Sequence, residues 1–274
     1  MKRVTPPPTD NPCVISSLRI LSRRNVSVLA LGLAFALFNP LRSGANVPRS
    51  MYPSDIPPRV LVIGDSLTVG PFGDKLEEFL IRSVGDSQVY IFASCGSSPE
   101  HWLEAEPEFR SRCGFRVKTP RKKTWLGRHE NGRPPEVHSA PKVENLLSKI
   151  HPDLVIIQLG TNWFDMLAES GSETGRKKIQ HLIEQFHTAV QRKAPRAGLV
   201  WITPPDSSRF RAVQSVVTDA IRDMAKNRYE VINSSKMIRY EPGKSGGDGV
   251  HLAAPAAEQW FEKVRRSLKN YLHL

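Results

Sequence analysis

The sequence has no internal repeat, no low-complexity block and no apolar run of the ~20 residues that a membrane-spanning helix needs. Its longest such run is the thirteen residues from Val26 to Phe38. It also lacks a phosphate-binding loop. Gly243-Lys244-Ser245 would need a glycine at position 238, where Ile238 stands. Its histidines lack ligand partners. His129 and His138 have no Cys or acid at metal-ligand spacing, and His181 and His187, flanked by Lys and Gln, read as surface residues of a helix. Acidic residues are outnumbered, 27 against 39 Lys and Arg, for a net charge of +12. Such a balance suits nucleic acid, an anionic membrane surface or an acidic polymer as partner. No nucleic-acid fold signature is present, so nucleic acid is not expected.

What is there begins with a basic, proline-containing segment ending in Ser22-Arg23-Arg24-Asn25. The apolar run 26–38 that follows has the length of an export signal's hydrophobic region, and Ser43-Gly44-Ala45 supplies small residues for cleavage after Ala45. Residues 1–45 are therefore expected to be an export signal, with an uncleaved membrane anchor or a buried helix as alternatives. A proline-rich linker spans 46–58, and one domain spans 59–274. Cysteine is scarce, and the three residues agree with export to a periplasmic or extracellular space. Cys13 lies in the signal, leaving Cys95 and Cys113 as a pair for an oxidising compartment. A disulfide between them would close a loop of about 17 residues and stabilise by roughly 3 kcal/mol. The alternative is two free thiols.

Strand-like runs alternate with amphipathic stretches. Val60 to Ile63, Val89 to Phe92, Leu154 to Ile157, Leu199 to Ile202 and Tyr229 to Ile232 read as strands. Helical spacing of apolar residues covers 73–82, 173–192, 209–226 and 256–272. That alternation implies a parallel sheet covered on both faces, with ligands at the carboxyl ends of its strands. One stretch breaks the rhythm. The insertion at about 97–141 holds no long helix, and from Phe109 to Arg133 it carries nine Lys and Arg against Glu130 alone. It reads either as a border of the active crevice or as a solvated basic loop.

Chemistry gathers at the predicted strand ends. Ser66 follows the first strand, where a turn into a helix would present a nucleophile to a crevice beside backbone N–H groups. Gly96 follows the second strand and Asn162 the third. Asp248 and His251 precede the last helix. Acyl transfer needs these types of group. Ser66 would attack, His251 would carry the proton, and Asp248 would hold the imidazole in the right tautomer. The Ser66 N–H, the Gly96 N–H and the Asn162 amide are candidates for the oxyanion. Trp163 either lines an acyl pocket or packs against the last helix. Trp102 and Trp125 read as packing or as sugar-stacking residues.

The blocks Gly64-Asp65-Ser66-Leu67, Gly96, Gly160-Thr161-Asn162 and Asp248-Gly249-Val250-His251 resemble, in order, those of the SGNH (GDSL-type) hydrolase superfamily. The resemblance covers about residues 59–274. It implies a three-layer α/β/α flavodoxin-like fold with a five-stranded parallel sheet, a Ser66–His251–Asp248 triad, Gly96 and Asn162 as oxyanion donors, and no metal or organic cofactor. The basic insertion and its cysteines lie outside the family's minimal pattern. The expectation is an exported serine esterase acting on a short-chain ester, an O-acetylated or acidic glycan being a candidate substrate. An O-acetyltransferase on envelope polysaccharide or peptidoglycan, and a glycan-binding protein that has lost catalysis, are the alternatives. Membrane contact is expected only through the N-terminal segment, if it is retained.

Overall fold

The computed structural model describes residues 57–111, 113–127 and 137–272. The expected export signal, the linker up to residue 56 and the basic segment 128–136 lie outside them. In chain order the elements are β1 (Val60–Gly64), α1 (Ser66–Val69), α2 (Pro71–Val84), β2 (Val89–Ser94), β3 (Arg110–Ser111), β4 (Phe115–Thr119), β5 (Lys122–Gly127), β6 (His138–Ser139), α3 (Val143–Ile150), β7 (Leu154–Gln158), α4 (Trp163–Ser170), α5 (Ser172–Lys193), β8 (Gly198–Ile202), α6 (Arg211–Ala225), β9 (Glu230–Ile232) and α7 (Ala254–Leu268).

Period-two alternation sorts the apolar residues of the strands into two cores. Leu61, Ile63, Val155, Ile157 and Trp201 face α3, α5 and α6 through Leu147, Phe186 and Ile221. Val60, Val62, Leu154, Ile156 and Val200 face α2 and α7 through Leu76, Trp260 and Val264. Each strand residue feeds one face or the other, which is why the central strands read as continuous apolar runs and the flanking helices as amphipathic ones. The result is a three-layer α/β/α arrangement. Phe72 stacks on Trp260 at 3.8 Å between ring centroids, joining α2 to α7.

The sheet has seven strands, in the order β5-β4-β2-β1-β7-β8-β9, where five were expected. The five expected strands are there and run parallel. The two additional strands come from the insertion. β4 pairs antiparallel with β2, and β5 with β4, through a two-residue turn at Pro120 and Arg121. The reading of this stretch as a basic loop is thus corrected for residues 115–127. Phe-Arg-Val-Lys-Thr is a period-two strand whose charged positions turn inward. Arg116 and Lys118 are 2% and 3% exposed. Their stems pack under the sheet edge while Asp74, Glu77 and Asp86 receive the charges. A disulfide joins Cys95 to Cys113, with Cα atoms 5.6 Å apart. It ties the end of β2 to the approach to β4. No helix among the described residues is long and apolar enough to cross a membrane.

Candidate active site

β1, β2 and β7 end level with one another. Gly64 is in register with Ala93 on one side and with Gln158 on the other. The residues that follow these three ends therefore emerge along one rim of the sheet. Ser66 opens α1. The buried Asp65 caps it, its Oδ1 accepting the Leu67 N–H at 3.0 Å. Burial raises the Asp65 pKa to about 6, against the lowering effect of the Leu67 N–H and of Thr161. The second Asp65 oxygen is buried with no hydrogen-bond partner among the described residues.

The loop before α7 reaches the same rim. His251 Nε2 lies 2.8 Å from Ser66 Oγ, and His251 Nδ1 lies 2.5 Å from Asp248 Oδ2. The other Asp248 oxygen accepts the backbone N–H groups of Val250 and His251 at 2.9 and 2.8 Å. Partial burial raises the Asp248 pKa, but the imidazole and these two N–H groups outweigh it and hold the carboxyl down at about 2. Asp248 is therefore a carboxylate at neutral pH, and Nδ1 must be the donor to it. In the neutral ring that leaves Nε2 as an acceptor for the Ser66 hydroxyl proton. Half of each of the Asp248 and His251 side chains is exposed, so the pair is open to solvent.

Gly96 turns the chain after β2 with φ +81°, a conformation that favours glycine. The Asn162 side-chain amide donates one hydrogen to the Ser97 carbonyl at 2.8 Å, which orients the group and leaves its second hydrogen available. The backbone N–H groups of Ser66 and Gly96 find no acceptor among the described residues. No group of three or more potential metal-ligating side chains is placed to hold a metal among the described residues.

The profile of the GDSL-like lipase/acylhydrolase family matches residues 60–264. The chain belongs to that family. It is an esterase by family. No curated protein matches the sequence. Among solved structures, a peptidoglycan O-acetylesterase is similar with TM-score 0.48 and 14% identity, over 80% of this chain and 93% of that one. A carbohydrate acetylesterase family member from Sinorhizobium meliloti gives 0.48 and 14%, over 79% and 100%. An acetyl xylan esterase gives 0.48 and 16%, over 76% and 99%.

Other sequence candidates of this family member fall away from the rim. Trp163 is fully buried, donates to Glu100 Oε2 at 2.9 Å and packs near Trp201. It neither lines an open pocket nor meets the last helix, since it belongs to the opposite core. Trp102 is buried and donates to Ser97 Oγ, whereas Trp125 is 46% exposed. His181 is exposed as expected, but His187 is half-buried beside Tyr229. Reading by motif missed the residues that hold the loop carrying Asp248 and His251. The buried Tyr240 hydroxyl accepts the Gly249 N–H at 3.0 Å and donates to the His251 carbonyl at 3.3 Å. Ser207 Oγ donates to the Gly249 carbonyl at 2.7 Å. No sequence spacing marks them, because each acts on backbone across a long loop.

Proposed function

We propose that this family member is an exported serine hydrolase that cleaves a short-chain ester, an O-acetyl group foremost, through an acyl-enzyme. Ser66 Oγ attacks the carbonyl carbon while His251 Nε2 takes its proton. The oxyanion of the tetrahedral intermediate is met by the Ser66 and Gly96 N–H groups and by the Asn162 amide. The C–O bond to the alcohol then breaks, and His251 returns the proton to the departing oxygen. Water, deprotonated by the same imidazole, releases the acid and restores Ser66. Asp248 holds the ring and stabilises its cationic form. The observation that carries this reading is the relay from Ser66 Oγ to Asp248, 2.8 and 2.5 Å in its two steps.

The half-exposed His251 and Asp248 suit an ester borne on a large polymer more than one enclosed in a deep pocket. Attraction of an acidic glycan draws on fewer charges than the composition suggests. Arg116 and Lys118 are buried and paired with carboxylates, and Arg110 is paired with Glu108, while Arg121 is exposed. The test is release of chromophore from aryl esters of increasing acyl length by the full chain and by Ser66→Ala. Wild-type activity greatest on the acetate, with a loss on the order of a thousandfold or more in Ser66→Ala, supports the proposal. Equal rates in the two proteins overturn it. The same open site admits a sugar hydroxyl as readily as water. Acetyl transfer to an added glycan acceptor in excess of hydrolysis would make the protein an acetyltransferase instead.

A further inference from the structure

We infer that Arg116, on the hairpin that the insertion adds, is a positioning residue that sets the turn carrying Ser66; this rests on Ser66 being the nucleophile. α1 is a single helical turn, and an isolated turn of that length does not hold itself. Three ties impose its geometry. At its start Asp65 accepts the Leu67 N–H. In its middle the Thr68 hydroxyl donates to Gln158 Oε1 at 2.7 Å. At its end Arg116 Nε donates to the Thr68 carbonyl at 3.1 Å, and Nη2 lies 3.5 Å from the Val69 carbonyl. The first two ties belong to the parallel core. The third is supplied by the insertion.

The last carbonyls of a helix lack partners within it, and a cation there meets the negative end of the helix. A guanidinium can serve two carbonyls and two carboxylates at once through its planar fork of donors. Arg116 does so. Nη1 donates to Glu77 Oε2 at 2.6 Å and Nη2 to Asp74 Oδ1, both on α2. The wall beside the guanidinium is backbone. A Cβ on Gly73 would fall 1.7 Å from the Thr68 carbonyl oxygen, so α2 passes hard against the same group that Arg116 holds. The Thr68 carbonyl, two residues after Ser66, is thus held by Arg116 and hemmed in by α2 beside it. A shift there moves Oγ against an imidazole that other loops fix.

The test uses the full chain as wild type, Ser66→Ala, Arg116→Lys, Arg116→Met with Glu77→Met, and Lys118→Met. The readouts are kcat and KM on an aryl acetate, the rate constant for labelling by a fluorophosphonate, and Tm. Arg116→Lys keeps the charge opposite Asp74 and Glu77 but removes the forked donor to Thr68. The double variant removes the buried charges together, so stability returns without the tie. Both are expected to lose about tenfold or more in kcat and in labelling rate, with KM within about twofold, because misplacement costs rate before binding. Lys118→Met, two residues along the same strand and paired among the described residues with Asp86 and the Thr119 carbonyl, should lower Tm and leave kcat unchanged. Wild-type kcat in a stable double variant overturns the positioning role, as does an equal loss of kcat in Lys118→Met. Activity and labelling that survive Ser66→Ala, or are absent from the wild type, overturn the nucleophile reading and this inference with it.

Discussion

The centre of the sheet and its added edge bury different kinds of side chain. β1 is fully buried and holds only apolar residues and glycine. β7 is fully buried too, with Gln158 its one polar residue, tied to Thr68. On β4 the inward positions are Arg116 and Lys118, buried as deeply and paired with carboxylates on or beside α2. Burial at the centre follows from residue type, because aliphatic surface leaves water wherever it finds a partner. Burial at the edge depends on particular opposite charges, since an unpaired buried ion is costly. Asp65 is a third case. It lies at the centre with hydrogen-bond donors and no ion-paired cation, and its carboxyl holds a proton to about pH 6.

The sharpest break in this comparison is a mismatch made at the edge. Arg116→Met leaves Glu77, whose side chain is 12% exposed, without its cation. The expected cost is about 3–5 kcal/mol in urea denaturation, and Glu77→Met in the same chain should recover most of it. A cavity at the centre, as in Ile156→Ala, should cost about 2–5 kcal/mol with no single partner change that restores it. Opening the edge tether with Cys95→Ser and Cys113→Ser should cost about 3 kcal/mol by the same denaturation. That pair should also lower kcat, because Cys95 adjoins Gly96 and the bridge anchors that turn.

Asp65 separates the two regions by pH. Its folded pKa lies above its unfolded one, so the native state holds the extra proton between about pH 4 and 6. Stability from this group is whole below about pH 4 and lost as pH rises through 6. Asp65→Asn should flatten that slope, a change on the order of 2–3 kcal/mol, visible in denaturation midpoints across pH 4–7. Asp248 has the opposite sign, its pKa being held at about 2. It remains ionised throughout pH 4–7, so any acid limb of activity in that range belongs to another group. The smallest effect is expected at Tyr240. Tyr240→Phe removes the bridge over Gly249 and His251 for about 1 kcal/mol of stability and should reduce kcat more than it raises KM.

Much of the site was legible because the strand ends are. The apolar runs 60–63, 89–92 and 154–157 locate Ser66, Gly96 and Asn162 on one rim before any coordinates, since parallel strands end together. Asp248 and His251 are close enough in sequence for a local turn to join them. The insertion was not legible for a physical reason. Phe115-Arg116-Val117-Lys118-Thr119 alternates as a strand should, yet its polar positions are Arg and Lys, residues that are mostly exposed in folded proteins. Only the carboxylates of Asp74, Glu77 and Asp86, about thirty to forty-five residues earlier in the chain, make the inward orientation stable. Trp163 was undecidable for a similar reason. Its place beside Asn162 is local, but which core takes its ring depends on the direction in which α4 leaves the sheet.

The sequence alone determined the parallel α/β order, the family blocks and the residue types at the rim, because strand periodicity and short turns are local properties. The tertiary structure decided that His251 reaches Ser66 across 185 positions, that a hairpin extends the sheet, and that Arg116 meets the Ser66 turn. Those outcomes depend on which distant groups can satisfy a buried charge or an unpaired carbonyl, and no local pattern encodes the partner.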